Sequence, residues 1–230
     1  MSNYSEEEQI QALKNFWDDY GTAIMVGIAV ALAVFAGWRY WSNQQKSNQQ
    51  QAATQYQQVI EQYQKSMESA AGAENTNFQR AARKLMEEHG DMAYGQFAAL
   101  LVAKRAVESN DLKEAEKQLR WVLEQKPDEG LRIVTSIRLA RVLFGQGDNA
   151  AAMAILDKES NPEFVATVQE LRGDILVADK KPEEAAKAYQ KASEVLASKK
   201  ESRPLLEIKM ADLGLKPVKV DAPKNGTENP

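Results

Sequence analysis

The chain has 230 residues, enough for one or two folded cores, with 29 Lys and Arg against 33 Asp and Glu. Glu6, Glu7, Glu8, Asp18 and Asp19 set against Lys14 in the first 19 residues account for the whole net charge of −4. The remaining 28 bases and 28 acids balance and form no basic run, which excludes nucleic acid as an expected partner. Zero cysteines exclude disulfides and thiolate chemistry, and the single His89 leaves no imidazole pair for a metal and no His-based triad, so neither a cofactor, a metal nor an enzyme activity is expected.

The N-terminal residues open with a capping box, Ser5 with Glu8, followed by Ile10, Leu13, Phe16, Trp17 and Tyr20 at helical spacing. From Tyr20 to Trp38 no residue is charged, and a helix of this length matches a hydrocarbon core of about 30 Å. Phe16, Trp17 and Tyr20 on one edge and Trp38, Tyr40 and Trp41 on the other make the aromatic belts of a membrane span. Ala31-Leu32-Ala33 has the form of a signal-peptidase site, but the preceding region is acidic and the apolar run continues past it, so an uncleaved span is expected. Flanking Lys14 against Arg39 and Lys46 is too small a difference to set the orientation. Within the span Ala23, Gly27 and Ala31 recur every fourth residue, a pattern that lets another helix approach closely in the lipid bilayer.

Ten of the sixteen residues from Asn43 to Gln58 are Asn or Gln, yet Ala52, Tyr56, Val59, Ile60, Tyr63 and Met67 keep a helical period. This predicts a long polar helix that docks one side on the following domain and is broken at Gly72 to Thr76. Beyond it nothing reads as strand. Phe78, Ala81, Ala82, Leu85 and Met86 share one helical face, with Gly90 expected as a left-handed stop after His89. Helix starts are expected at Asp91, at Asp111 with Glu114, at Asn161 with Pro162, and at Pro182.

The turns Asn110-Asp111-Leu112, Gly147-Asp148-Asn149 and Lys180-Lys181-Pro182 are each followed by a small residue, Ala115, Ala152 and Ala185. Their spacings of 37 and 33 residues bracket the 34-residue tetratricopeptide period. Ala103, Ala140 and Gly173 supply the matching small residue of the preceding helix, where a bulkier side chain would hold paired helices apart. Asn110 and Lys180 stand where that repeat has glycine, and no unit has its tryptophan. Pro204 opens a last helix over 205–213, stopped by Gly214, placed to cap the array. The expected class is therefore all-α, a single N-terminal transmembrane helix followed by a tetratricopeptide-like α-solenoid. Its expected segments are a tail over 1–19, the span over 20–41, the polar helix over 42–71, the repeats with their cap over 72–214, and a disordered end over 215–230.

This arrangement resembles the YfgM family, ancillary subunits of the SecYEG translocon. The likeness covers nearly the full length and is most specific at the boundary Gly37-Trp38-Arg39-Tyr40-Trp41, with Leu139-Ala140-Arg141-Val142 and Leu171-Arg172-Gly173-Asp174 in the repeats. It implies an inner-membrane protein with its N-terminal tail cytoplasmic and its repeats periplasmic. It further implies association with the translocon and the chaperone PpiD, assisting hand-over of secreted or outer-membrane polypeptides. A second reading has residues 1–19 sequester a cytoplasmic response regulator. In tetratricopeptide register the partner groove falls on Phe97, Leu100 and Lys104, then Ile137, Arg141 and Phe144, then Glu170 and Asp174. A competing expectation is that the long helix covers Phe97, Leu100, Ile137 and Phe144.

Overall fold

The computed structural model describes residues 3–68 and 72–216, of which 84% are helical with no strand among them. The Ser5 and Glu8 side chains of the expected capping box, and residues 217–230 of the expected disordered end, lie outside what is described. Two compact units divide the chain, Met1–Thr54 and Gln55–Pro230, and helix α1 (Asn3–Glu68) contributes residues to both.

In the first unit α1 is apolar on every side between residues 20 and 38, where Val26, Ile28, Leu32, Val34 and Phe35 are all more than half exposed. A helix that is hydrophobic all round belongs inside a large core or a bilayer, and this one is long and apolar enough to cross a membrane.

The second unit contains the end of α1 and α2 (Gly72–His89), α3 (Ala93–Glu108), α4 (Leu112–Glu124), α5 (Glu129–Gly145), α6 (Asn149–Leu156), α7 (Val165–Ala178), α8 (Pro182–Ser198) and α9 (Pro204–Asp212). From α2 to α9 each helix packs on the next, and α5 also meets α7, so the core runs along the array. Its central part is Leu119, Ile133, Ile137, Leu139, Leu143, Leu156 and Ile175, and its far end is Ala166, Tyr189, Leu196, Leu206 and Met210. All six small positions are buried. Gly173 shows the reason most directly, since a methyl there would fall on the Tyr189 ring.

The turns repeat one hydrogen-bond pattern. Asn110, Gly147 and Lys180 take left-handed φ values of 60°, 85° and 59°. The next N–H then reaches back five residues: Asp111 to the Ala106 carbonyl at 2.8 Å, Asp148 to Leu143 at 2.9 Å, and Lys181 to Leu176 at 2.9 Å. Gly214, at φ 74°, ends α9 likewise, with Leu215 N–H on the Met210 carbonyl and the Leu215 side chain on the core. Leu215 is thus part of the packed domain and not of the disordered end expected from 215. The following helices are capped by Asp111 and Asp148, whose side chains accept from the Glu114 and Ala151 N–H groups, and in the third repeat by Pro182 at the first helical position.

Several expected boundaries move. Gly72–Thr76 begins α2 instead of breaking a helix, because Phe78, Ala82 and Leu85 bury the face that this helix carries. Gly90 is not left-handed. It is needed because a methyl there would sit 2.5 Å from the Met86 carbonyl and 3.0 Å from the Trp121 ring. Met92, not Asp91, precedes α3, and α7 opens after Phe164, while Asn161 accepts from Glu163 N–H in the turn before it.

Candidate functional site

A cleft of about 1140 Å³ lies between α3 and α5. On α3, Phe97, Leu100, Leu101 and Lys104 share its wall at helical spacing, and on α5 Leu131, Val134, Arg138 and Arg141 do so at i, i+3, i+7 and i+10. Asp128 fixes the start of α5 by accepting from Leu131 N–H at 2.9 Å, which sets the rotation of that row.

The end of α1 forms one edge. Tyr56 stacks at 5.6 Å from the Tyr94 ring and 6.1 Å from Phe97, Gln55 donates to Glu88 at 2.7 Å, and Tyr63 packs edge-on against Phe78. The Lys104 ammonium lies 5.5 Å above the Tyr63 ring. Tyr63 and Glu108 hold Lys104 above the ordinary lysine value, against an opposing push from Arg138. The polar helix therefore covers Phe97 only along its Tyr56 edge and leaves the floor of the cleft accessible.

Of the eight residues predicted for a partner groove, Phe97, Leu100, Lys104 and Arg141 come together here. Ile137 is 3% exposed and belongs to the core, and Phe144 packs against that same core, because one residue along α5 turns a side chain through about 100°. Glu170 and Asp174 lie elsewhere, under the terminal helix α9. Arg203 donates to Glu170 at 3.0 Å, Lys209 donates to Glu170 at 3.0 Å and to Asp174 at 2.9 Å, and the Tyr189 hydroxyl donates to Asp174 at 2.8 Å. Burial raises the Glu170 carboxyl, but the hydrogen bonds and charges of Lys209 and Arg203 outweigh it and hold the group below the usual carboxylate range. Burial and the Asp174 carboxylate push the Tyr189 hydroxyl well up.

Leu101, Leu131, Val134 and Arg138 escaped the sequence reading, although the spacing from Leu131 to Arg141 is visible in it. In the other unit Ala23, Gly27 and Ala31 are all exposed, and a methyl added at Gly27 would meet nothing within 4 Å. No group of three acids or histidines able to hold a metal occurs among the described residues.

A family model described as a tetratricopeptide repeat-like domain matches residues 14–215. An ancillary SecYEG translocon subunit of Escherichia coli (strain K12) is 30% identical over 81% of this chain and 86% of its own length. Its counterpart in Haemophilus influenzae is 32% identical over 82% and 89%. The chain belongs to this YfgM family. A Neisseria gonorrhoeae member, also named as an ancillary SecYEG translocon subunit, is 27% identical over 92% of this chain and 99% of its own length. The YfgM match therefore takes in the apolar helix as well as the repeats. No solved structure matches.

Proposed function

We propose that this protein is a membrane-anchored, non-enzymatic adaptor at the SecYEG translocon that assists hand-over of translocated polypeptides to periplasmic chaperones. The observation that carries the reading is one chain joining a helix apolar on every side to the repeat domain of a family named for translocon accessory subunits. A helix with that much exposed apolar surface gains roughly 25 cal/mol per Å² on leaving water, which supports a bilayer location for residues 20–41. The cleft between α3 and α5 offers apolar and basic side chains and suits binding better than bond-breaking. In this reading residues 1–19 are cytoplasmic, 42–230 are periplasmic, and PpiD and emerging secreted or outer-membrane polypeptides are partners. The likeness to YfgM supports those finer assignments.

The test is affinity purification of the tagged full-length chain in mild detergent, with SecY, SecE and SecG expected among the recovered proteins. Their absence would end the adaptor reading. Orientation is checked at Ser198, an exposed position, by Ser198→Cys. The thiol should react with an impermeant reagent once the outer membrane is permeabilised, and labelling only after inner-membrane lysis would reverse the topology.

A further inference from the structure

We infer that the cleft between α3 and α5 is a docking site for an acidic amphipathic helix, whose apolar face fills the floor and whose carboxylates meet Arg138 and Arg141. This rests on the adaptor reading and names the chemistry of the partner. The floor of Phe97, Leu100, Leu101, Leu131 and Val134 is apolar, and Phe97 remains 37% exposed despite Tyr56. At about 1140 Å³ between two helices the cleft has room for a polypeptide segment.

Charge identifies the segment. Both carboxylates at the cleft are already engaged: Glu108 accepts from the Tyr63 hydroxyl and neighbours Lys104 at 3.9 Å and Arg105, while Asp128 caps α5. Arg138 and Arg141 are exposed and meet no ion-pair partner among the described residues. They stand three residues apart on one helix, about 4.5 Å along its axis, the spacing at which carboxylates three residues apart on a second helix are presented. A helix laid in a groove by its apolar face and steered by flanking charge is an established mode of peptide recognition.

The test uses the full-length protein in nanodiscs of zwitterionic lipid and two fluorescent peptides of about four helical turns. Both carry leucine on one face, flanked in one by glutamate and in the other by lysine, and empty nanodiscs correct for lipid binding. The glutamate peptide should bind about tenfold tighter by anisotropy, and Arg138→Glu with Arg141→Glu should reverse the order. Arg138→Gln with Arg141→Gln should bring the two peptides level, which keeps the test valid if the reversed charges disturb folding. Equal binding of both peptides to the unaltered protein, no saturable binding, or an order insensitive to the substitutions overturns the inference. So does binding to phosphatidylglycerol vesicles that is lost in the same variants while the peptide is ignored, which would give the face to lipid. Recovery of SecY without peptide selectivity removes this inference alone, whereas selectivity without translocon recovery removes the adaptor reading alone.

Discussion

Lys180 holds a backbone conformation that favours glycine, and it does so at the same place in its repeat as Gly147. A left-handed lysine costs roughly 1–2 kcal/mol, part of which glycine would give back through the greater freedom of its unfolded chain. The side chain is exposed, so Lys180→Gly should stabilise by about 0.5–1 kcal/mol in thermal melts followed by circular dichroism. A lower midpoint would mean that the lysine makes a contribution the fold does not display. Gly173 presents the opposite case. Tyr189 fills the space beside it, is 2% exposed and is tied to Asp174 by its hydroxyl, so the ring cannot swing aside. Gly173→Ala should therefore cost about 1–3 kcal/mol, as should Ala115→Leu at the completely buried small position of α4, and unchanged midpoints in both would disprove close helix contact there.

Helix α9 is held by charge at its rim and by Leu206 and Met210 beneath. Because the Glu170 carboxyl is held below its ordinary value, its stabilising contribution is complete above about pH 4.3 and is lost as pH falls through the lower folded value. Lys209 behaves oppositely: burial lowers it, but Asp174 and Glu170 raise it further, so its share is complete below about pH 10.4 and is lost above that. Glu170→Gln should thus destabilise by about 1–3 kcal/mol at neutral pH, since Arg203 loses its carboxylate partner and Lys209 one of its two. The deficit should shrink towards about pH 3, and a deficit that stayed constant across that range would show that the carboxylate charge is not what docks α9. The turns that frame these helices were legible because each writes its own local signature, a positive-φ residue followed by Asp or by Lys-Pro. The docking of α9 was not, because its bonds join residues 33 to 39 positions apart and no local pattern marks them. The cleft was half legible for a related reason. The small residues fixed which helices pair but not the rotation of α5, so Ile137 and Arg138, one step apart, exchanged places between core and cleft.

At the scale of the whole chain, the anchor raises a question the repeats do not answer: whether the apolar helix only tethers the protein. A tether needs hydrophobicity alone, and alanine or glycine at Ala23, Gly27 and Ala31 supplies less of it than leucine would. What small residues supply is close approach, and in lipid that favours helix pairing by van der Waals contact where hydrophobicity is indifferent. All three positions are exposed on α1, and space for a methyl at Gly27 is open, so a larger side chain there disturbs nothing within the described chain. Gly27→Leu should accordingly leave insertion intact, as read by carbonate extraction, and reduce co-purification of SecY about tenfold, the loss of roughly 1–2 kcal/mol of helix packing. Exchanging the entire span for an unrelated one removes every such face together and is the stricter measurement. If SecY is still recovered at the normal level from that chimera, association resides outside the span, and the small-residue row is ordinary filling of a membrane helix.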